Sequence, residues 1–154
     1  MIFAGVIMQI TSTAFTDNST IPDKYSYRSG NASPPLTFVE VPKEAISLAL
    51  VCHDPDAPGK NGFTHWVLWN IDPFNNGFLE NKLPPNVMIG LNDWHENNWG
   101  GPAPPSGTHR YIFSLYALDS MLEIPPSTNY EELKVIIEPR IIDTANLTGL
   151  YSTK

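Results

Sequence analysis

The sequence is poor in cysteine and in positive charge. Cys52 is its single cysteine, so no disulfide can form within the chain. It lies in an apolar run, which predicts a buried and unreactive thiol. Nine lysines and arginines stand against 16 aspartates and glutamates, giving a formal net charge of −7. Because nucleic-acid binding needs a basic face, we expect no nucleic-acid partner.

The chain also lacks a long hydrophobic run and a basic start. Residues 1–10 are largely apolar, but they are too few to span a bilayer. They include no Lys or Arg, whereas a secretory signal peptide begins with positive charge. These features predict a cytoplasmic protein without stable membrane insertion. We predict that residues 1–8 are either disordered or upstream of a true start at Met8.

What is present is typical of one β-rich domain, residues 1–154. Hydrophobic residues make up 42% of the chain and charged residues only 16%, which is enough to fill one core. The 15 prolines and 10 glycines interrupt short apolar runs, as they do in all-β domains.

The apolar runs predict individual strands. Segments 46–53, 64–72 and 109–119 are apolar on both faces, which is typical of strands in the middle of a covered sheet. Segments 36–41 and 144–152 predict two weaker strands.

Two segments depart from the strand pattern. Residues 130–142 have apolar side chains at helical spacing, after a candidate N-cap among residues 127–129. Pro139 is expected to end or kink this helix. The segment 73–105 has few strand signals, and its length predicts a functional loop. We interpret Trp94 and Trp99 as anchors of that loop more than as ligand contacts.

Polar residues of a possible site follow or begin the predicted strands. They lie in three segments, 54–59 (DPDAPG), 63–71 (FTHWVLWNI) and 100–111 (GGPAPPSGTHRY). Asp54 ends one strand, while His65 and His109 begin two others, so the three could meet at one sheet edge.

These residue types suit the binding of a small anion. A carboxylate beside an imidazole fixes the tautomer of the ring, which can then donate an N–H to an oxyanion. Gly100 and Gly101 would let backbone N–H groups approach a ligand. The neighbouring prolines would stiffen the mouth of the pocket.

Each residue also has a plainer explanation. Asp54 could serve only in a turn, His65 could be a satisfied core histidine, and His109 could be an exposed strand start. His53 is interpreted as structural and His95 as solvated.

The three segments together resemble signatures of the phosphatidylethanolamine-binding proteins, also called the Raf kinase inhibitor-like family. The resemblance is greatest to short bacterial members and extends over residues 10–151. Its motifs are DPDAP at 54–58, THWVLWNI at 64–71 and GGPxPPxGxHRY at 100–111, with NASPPL at 31–36 before the first strand.

The resemblance implies a mainly β fold, a β-sandwich with a large central sheet and a few peripheral helices. It implies a pocket at one end of that sheet that accepts phosphate-like anions, without cofactor or metal. A cis peptide would precede Pro58. The implied ligand-binding residues are Asp54, Pro55, Asp56, Pro58, His65, Gly101, Pro102, His109 and Tyr111.

The sequence lacks one feature of eukaryotic members, a C-terminal helix that closes the pocket. The resemblance therefore implies a more open pocket or one closed by a partner subunit, and we expect a homodimer. The sequence does not identify a protein partner.

Several functions remain open at this point. We favour a binding module, kinase-inhibitor-like or regulatory, over an enzyme, because no nucleophile motif is present. The alternatives are a hydrolase or lyase that uses Asp54 and His109 with a glycine oxyanion hole, a facial-triad metal site, and an idle pocket.

Overall fold

The computed structural model describes residues 6–154, and its nine strands form two sheets. The strands are β1 (Gln9–Thr11), β2 (Ser19–Thr20), β3 (Leu36–Val39), β4 (Ser47–Asp54), β5 (Phe63–Ile71), β6 (Gly77–Phe78), β7 (Met88–Ile89), β8 (Thr108–Leu118) and β9 (Ile141–Ser152). The larger sheet has the order β2-β9-β8-β4-β5-β7, and the smaller has the order β1-β3-β6. The predicted mainly β fold is therefore confirmed.

The long strands β4 and β5 are buried on both faces because both faces are covered. In β8, buried residues alternate with half-buried or exposed ones along most of the strand, so the prediction that segment 109–119 is apolar on both faces was wrong for one face. One face packs against the smaller sheet, in a core that includes Leu50 of β4 and Phe38 of β3. The opposite face includes Val51 of β4 and packs against Leu133 and Ile137 of the helix. Cys52 is fully buried in the first core, and burial raises the pKa of its thiol well above the usual range.

The single α-helix among residues 6–154, α1, spans Tyr130–Ile137. Asn129 caps it, with a reciprocal bond between its backbone and the Glu132 side chain. The predicted helix 130–142 was too long, because Pro139 cannot continue the α-helical hydrogen bonds. A 3-10 turn at Glu138–Arg140 follows, and β9 begins three residues earlier than the predicted strand 144–152.

The central strands lie within one residue of their predicted bounds, whereas β3 ends two residues before the predicted 36–41. The segment 73–105 is mostly irregular and contains only the short strands β6 and β7. Of the N-terminal segment 1–8, residues 1–5 lie outside the described residues. Val6 and Ile7 are exposed, and Met8 packs into the core.

The topology brings the chemically interesting ends together. Strand β4 pairs antiparallel with both β5 and β8, so its end lies beside their beginnings. Asp54 pairs with Phe63, and His53 pairs with Ile112. Within residues 6–154, no helix has the length and hydropathy needed to cross a membrane.

Candidate functional site

A pocket of about 360 Å³ opens at this end of the larger sheet. Its polar lining comes from Asp54 at the end of β4, His65 near the start of β5 and Arg28 in the loop before β3. Tyr111 of β8 also lines it. The volume suits a small ligand.

Asp54 is held from within the protein by two hydrogen bonds. The Nδ1 of His109 donates to its Oδ2 at 2.7 Å, and the backbone amide of Asp56 donates to its Oδ1 at 2.8 Å. Asp54 and His109 are only 2% and 7% exposed. The structure thus confirms the predicted contact between these two residues, but it places His109 outside the pocket lining, where it acts through Asp54.

His65 presents an acceptor to the pocket. Its Nδ1 donates to the carbonyl oxygen of Gly100 at 2.7 Å, because a carbonyl can only accept. Burial lowers the pKa of His65 to about 4, so the ring is neutral at physiological pH. Its Nε2, the ring's other polar atom, is then an unprotonated acceptor. The rings of Trp94 and Tyr111 pack edge-on against the imidazole and hold it in place.

The expectation that Gly100 and Gly101 offer free N–H donors to a ligand was wrong. The Gly100 amide donates to the His65 carbonyl at 3.1 Å, and the Gly101 amide donates to Oδ1 of Asn31 at 2.7 Å. Both residues are glycine because neighbours approach closely. A Cβ on Gly100 would lie 2.2 Å from the Trp94 ring, and one on Gly101 would lie 2.0 Å from the Tyr25 carbonyl oxygen.

The hydroxyl of Tyr111 is the polar atom of the pocket that still needs a partner. Tyr111 is fully buried, and its hydroxyl has no hydrogen-bond partner among residues 6–154. The Ala103 amide lies close enough to this oxygen to lower the pKa of Tyr111 slightly, but its geometry is not that of a hydrogen bond. Burial raises the pKa of Tyr111, so the group stays protonated and can donate.

An aromatic wall completes the pocket. Tyr27 stacks on Trp94 with ring centroids 4.7 Å apart, and Phe63 packs edge-on against Trp94 at 4.6 Å. Trp94 is thus a pocket residue, whereas Trp99 is a buried anchor whose Nε1 donates to the Tyr25 carbonyl. Rigid aromatic side chains lose little entropy when they enclose a ligand.

The chain matches the family model for phosphatidylethanolamine-binding proteins over residues 11–152. It belongs to the phosphatidylethanolamine-binding protein family. The match covers almost the whole of the segment 10–151 in which the resemblance was found, and it includes every residue of the pocket.

Similar proteins occur in archaea and bacteria. A UPF0098 protein from Methanothermobacter thermautotrophicus is 44% identical over 149 residues, which cover 94% of this chain and 98% of the relative. A UPF0098 protein from Chlamydia trachomatis is 40% identical over 148 residues, with the same two coverages of 94% and 98%.

Two solved structures of family proteins superpose on this chain with TM-scores of 0.91. The first is a putative phosphatidylethanolamine-binding protein homologue from Chlamydia trachomatis, 38% identical, in which the match covers 96% of this chain and 99% of the other. The second is E. coli YbcL, a member of the mammalian family, 27% identical, with coverages of 97% and 100%.

The family's signature residues divide into those that line the pocket and those that support it. The lining includes Asp54, Pro58, His65 and Tyr111. The structure places the others outside the lining: Pro55, Asp56, Gly101, Pro102 and His109.

The supporting residues hold the pocket in shape. Asp56 faces outward and forms a fork with Arg110 at 2.9 and 3.0 Å, and this contact lowers the pKa of Asp56 to about 2. The carbonyl of buried Pro102 accepts from the amide of Tyr27 and so holds the aromatic wall. Pro55 is exposed at the turn.

The cis peptide expected before Pro58 was wrong, since every peptide bond in the described part of the chain is trans. The turn is made instead by glycines in the left-handed region, Gly59 with φ of +107° and Gly62 with φ of +65°. The two remaining histidines lie outside the pocket. His53 bonds Oγ1 of Thr64, and His95 is exposed.

The aromatic and charged pocket residues that the sequence analysis did not predict as ligand-binding are Tyr27, Arg28, Phe63 and Trp94. The small residues Ala57, Ala103, Pro104 and Pro105 of the signature segments also line the pocket. Phe63 and Trp94 lay in segments that had been singled out, whereas Tyr27 and Arg28 gave no signal beyond an aromatic residue beside a basic one. Arg28 is exposed at the mouth and forms no ion pair with any of residues 6–154.

The structure does not support the alternatives of a hydrolase and a metal site. A hydrolase that used Asp54 and His109 would need an oxyanion hole, but the Gly100 and Gly101 amides already have partners. In the described residues, no group of three or more His, Cys, Asp or Glu side chains is arranged to hold a metal ion.

Proposed function

We propose that this chain is a binding protein for small molecules or groups that carry a phosphate, held in the pocket between Asp54, His65 and Tyr111. The observation that carries the proposal is the Tyr111 hydroxyl, which is fully buried at the pocket without a partner among residues 6–154. A buried polar group left unpaired costs free energy, and a bound oxyanion would satisfy it.

Membership of a family named for binding a phosphate-containing head group supports this ligand class. Arg28 at the mouth supplies a guanidinium with no ion-pair partner in the described chain, suited to a phosphate oxygen. The pocket is preformed, because Asp54 accepts a hydrogen bond from buried His109 and His65 donates one to the buried Gly100 carbonyl. A preformed site loses less entropy when it binds.

The proposed role is binding, with a regulatory effect on a partner, rather than turnover. The hydroxyl-bearing residues of the second signature, Ser106 and Thr108, are both exposed and neither lines the pocket. Each carboxylate oxygen of Asp54 already accepts one hydrogen bond from the protein itself. A regulatory protein of this kind would present the pocket and its aromatic rim to a phosphorylated partner.

The test is a titration of isotope-labelled protein with phosphoethanolamine, followed through the backbone amide spectrum. We expect saturable shifts confined to residues 27–28, 54–65, 94 and 100–111. Tyr111→Phe should weaken binding by roughly tenfold or more, because a hydrogen bond to a charged group contributes about 1.5–3 kcal/mol.

The matched control is Tyr116→Phe, which removes a hydroxyl from the far end of the same strand and should leave affinity unchanged. Tyr111→Phe should not lower the stability of the free protein, since its hydroxyl has no partner there to lose. If millimolar phosphoethanolamine produces no shifts in the unmodified protein, the proposed function is wrong.

A further inference from the structure

The polar groups at the base of the pocket mostly accept hydrogen bonds. The Asp54 carboxylate can only accept, and its Oδ1 and Oδ2 each use one lone pair within the protein, which leaves others free. His65 lines the pocket and donates its Nδ1 proton to the Gly100 carbonyl, so the neutral ring has Nε2 left as the atom with which it can accept from a ligand. Both side chains are nine-tenths or more buried.

Three donors close to the pocket are already engaged, whereas the Ala103 amide, which lies near the Tyr111 hydroxyl, has no acceptor among residues 6–154. The amides of Gly100 and Gly101 bond the His65 carbonyl and the Asn31 side chain, and the Arg110 guanidinium bonds Asp56. Tyr111 supplies a single hydroxyl, and Arg28 stands at the mouth.

This arrangement places a demand on the ligand. An unprotonated oxyanion pressed against a carboxylate oxygen is repelled, whereas a P–OH group donates a hydrogen bond to it. The other phosphate oxygens, which carry the negative charge, would accept from the Tyr111 hydroxyl and from Arg28. A ligand that combines one acidic proton with one negative charge therefore matches both ends of the pocket.

From this geometry, and resting on the phosphate-binding function proposed above, we infer that the pocket selects phosphate monoesters in their singly protonated form. Phosphodiesters, which include the head groups of phospholipids, carry no such proton at neutral pH. Sulfate monoesters lack it as well. All three ligand types bear one negative charge on the acid group, so the discrimination would come from the proton and not from charge.

Protein groups around the ligand could also titrate, and the design must separate them from the ligand. Those that face Asp54 and His65 come from β4, β8 and two loops, and they are His53, Asp56, His109, Arg110, Tyr111 and Arg28. If one of these protein groups titrates, the affinity for a ligand without an acidic proton changes as well. The sulfate ester is therefore the internal reference.

The experiment compares three ligands by calorimetry and amide shifts at pH 5 and pH 8. They are phosphoethanolamine, its sulfate counterpart 2-aminoethyl hydrogen sulfate, and the diester glycerophosphoethanolamine. At pH 5 we expect the monoester to bind at least about tenfold more tightly than the other two, because each of them leaves an acceptor unpaired.

Between pH 5 and pH 8 the monoester should lose affinity by up to about 100-fold relative to the sulfate ester. The second pKa of a phosphate monoester is near 6, so only about one molecule in a hundred keeps the proton at pH 8. Phosphorus NMR gives a separate readout. At pH 7.5 the bound monoester should show the chemical shift of its monoanion, while the free ligand shows that of the dianion.

Asp54→Asn tests which group makes the selection. The amide is nearly the same size, and His109 can accept from it by carrying its own proton on Nε2. We expect the sulfate ester to bind this variant within about threefold of the monoester at pH 5, since an amide N–H now meets the oxyanion.

Two outcomes overturn the inference while leaving phosphate binding intact. One is equal affinity for the three ligands at pH 5 in the unmodified protein, and the other is a bound phosphorus signal that titrates like the free ligand. If none of the three binds at pH 5, the proposed function itself is overturned, and the inference with it.

Discussion

At the scale of single residues, the pocket depends on two buried polar side chains with opposite needs. The Tyr111 hydroxyl has no partner among residues 6–154, whereas the His65 Nδ1 donates to the Gly100 carbonyl. The Tyr111 hydroxyl can donate a hydrogen bond to a ligand without losing one within the protein. The hydrogen bond from His65 Nδ1 fixes the tautomer of the ring, so Nε2 is an acceptor before any ligand binds.

The burial of His65 should make the protein sensitive to acid. Its pKa is about 4 in the folded chain and 6.5 as a free side chain, so the unfolded state binds the proton more readily. The contribution of neutral His65 to the free energy of unfolding is therefore fully present above pH 6.5 and is lost as pH falls toward 4. We expect the free energy of unfolding to fall by about 2 kcal/mol between pH 7.5 and pH 5 from this group alone.

Chemical denaturation at several pH values would measure this loss, with His65→Asn as the comparison. Asparagine can still donate to the Gly100 carbonyl but does not titrate. The free energy of unfolding of the variant should therefore fall by about 2 kcal/mol less between pH 7.5 and pH 5 than that of the unmodified protein. Burial also lowers the pKa of His53, which adds a slope of the same sign to both proteins. Parallel curves for the two proteins would contradict the prediction.

At the scale of elements, the loop that leads into β8 is a packed structural unit rather than a flexible ligand loop. Gly100 and Gly101 place their backbone against the Trp94 ring and the Tyr25 carbonyl. Their amides bond β5 and Asn31, which ties the loop to two distant parts of the chain. The loop therefore shapes the pocket by packing and donates no backbone hydrogen bond from these two residues to a ligand.

A pair of alanine substitutions separates packing from backbone strain. Gly101→Ala would bring a Cβ to 2.0 Å from a backbone oxygen, and we expect it to cost about 2–3 kcal/mol. Gly107→Ala has open space but a φ of +69°, and we expect a cost of about 1 kcal/mol. Urea denaturation would compare them, and a Gly101→Ala variant as stable as Gly107→Ala would show that the loop yields easily.

At the scale of the whole molecule, charge and topology work in different directions. The formal net charge of −7 repels an anionic ligand at long range. The antiparallel pairing of β4 with β5 and β8 nevertheless gathers the pocket at one end of the larger sheet, with Arg28 at its mouth. Dimer formation and a cytoplasmic location stay predictions.

Arg28 should therefore contribute to affinity mainly at low salt. We expect Arg28→Gln to weaken phosphoethanolamine binding by roughly five- to tenfold at low ionic strength, and by less as salt screens the charge. Lys43→Gln is the matched control, because it removes the same charge from an exposed site at the opposite end of the larger sheet. Equal losses in both variants would mean that only net charge matters.

The sequence alone determined the β architecture, the family and the Asp54–His109 pair. These depend on short-range patterns: strands apolar on both faces, turns rich in proline and glycine, and motifs within which the spacing is nearly constant. A buried strand ends where a polar turn begins, and for that reason the bounds of β4, β5 and β8 were predicted to within one residue.

Only the tertiary structure decided which groups of the site are free. Whether the Gly101 amide can serve a ligand depends on Asn31, 70 positions earlier, and the aromatic wall joins Tyr27 to Trp94. The accepting character of His65 depends on the Gly100 carbonyl, 35 positions later. A hydrogen bond between distant segments leaves no local pattern in the sequence, because either partner could equally well have been satisfied by water.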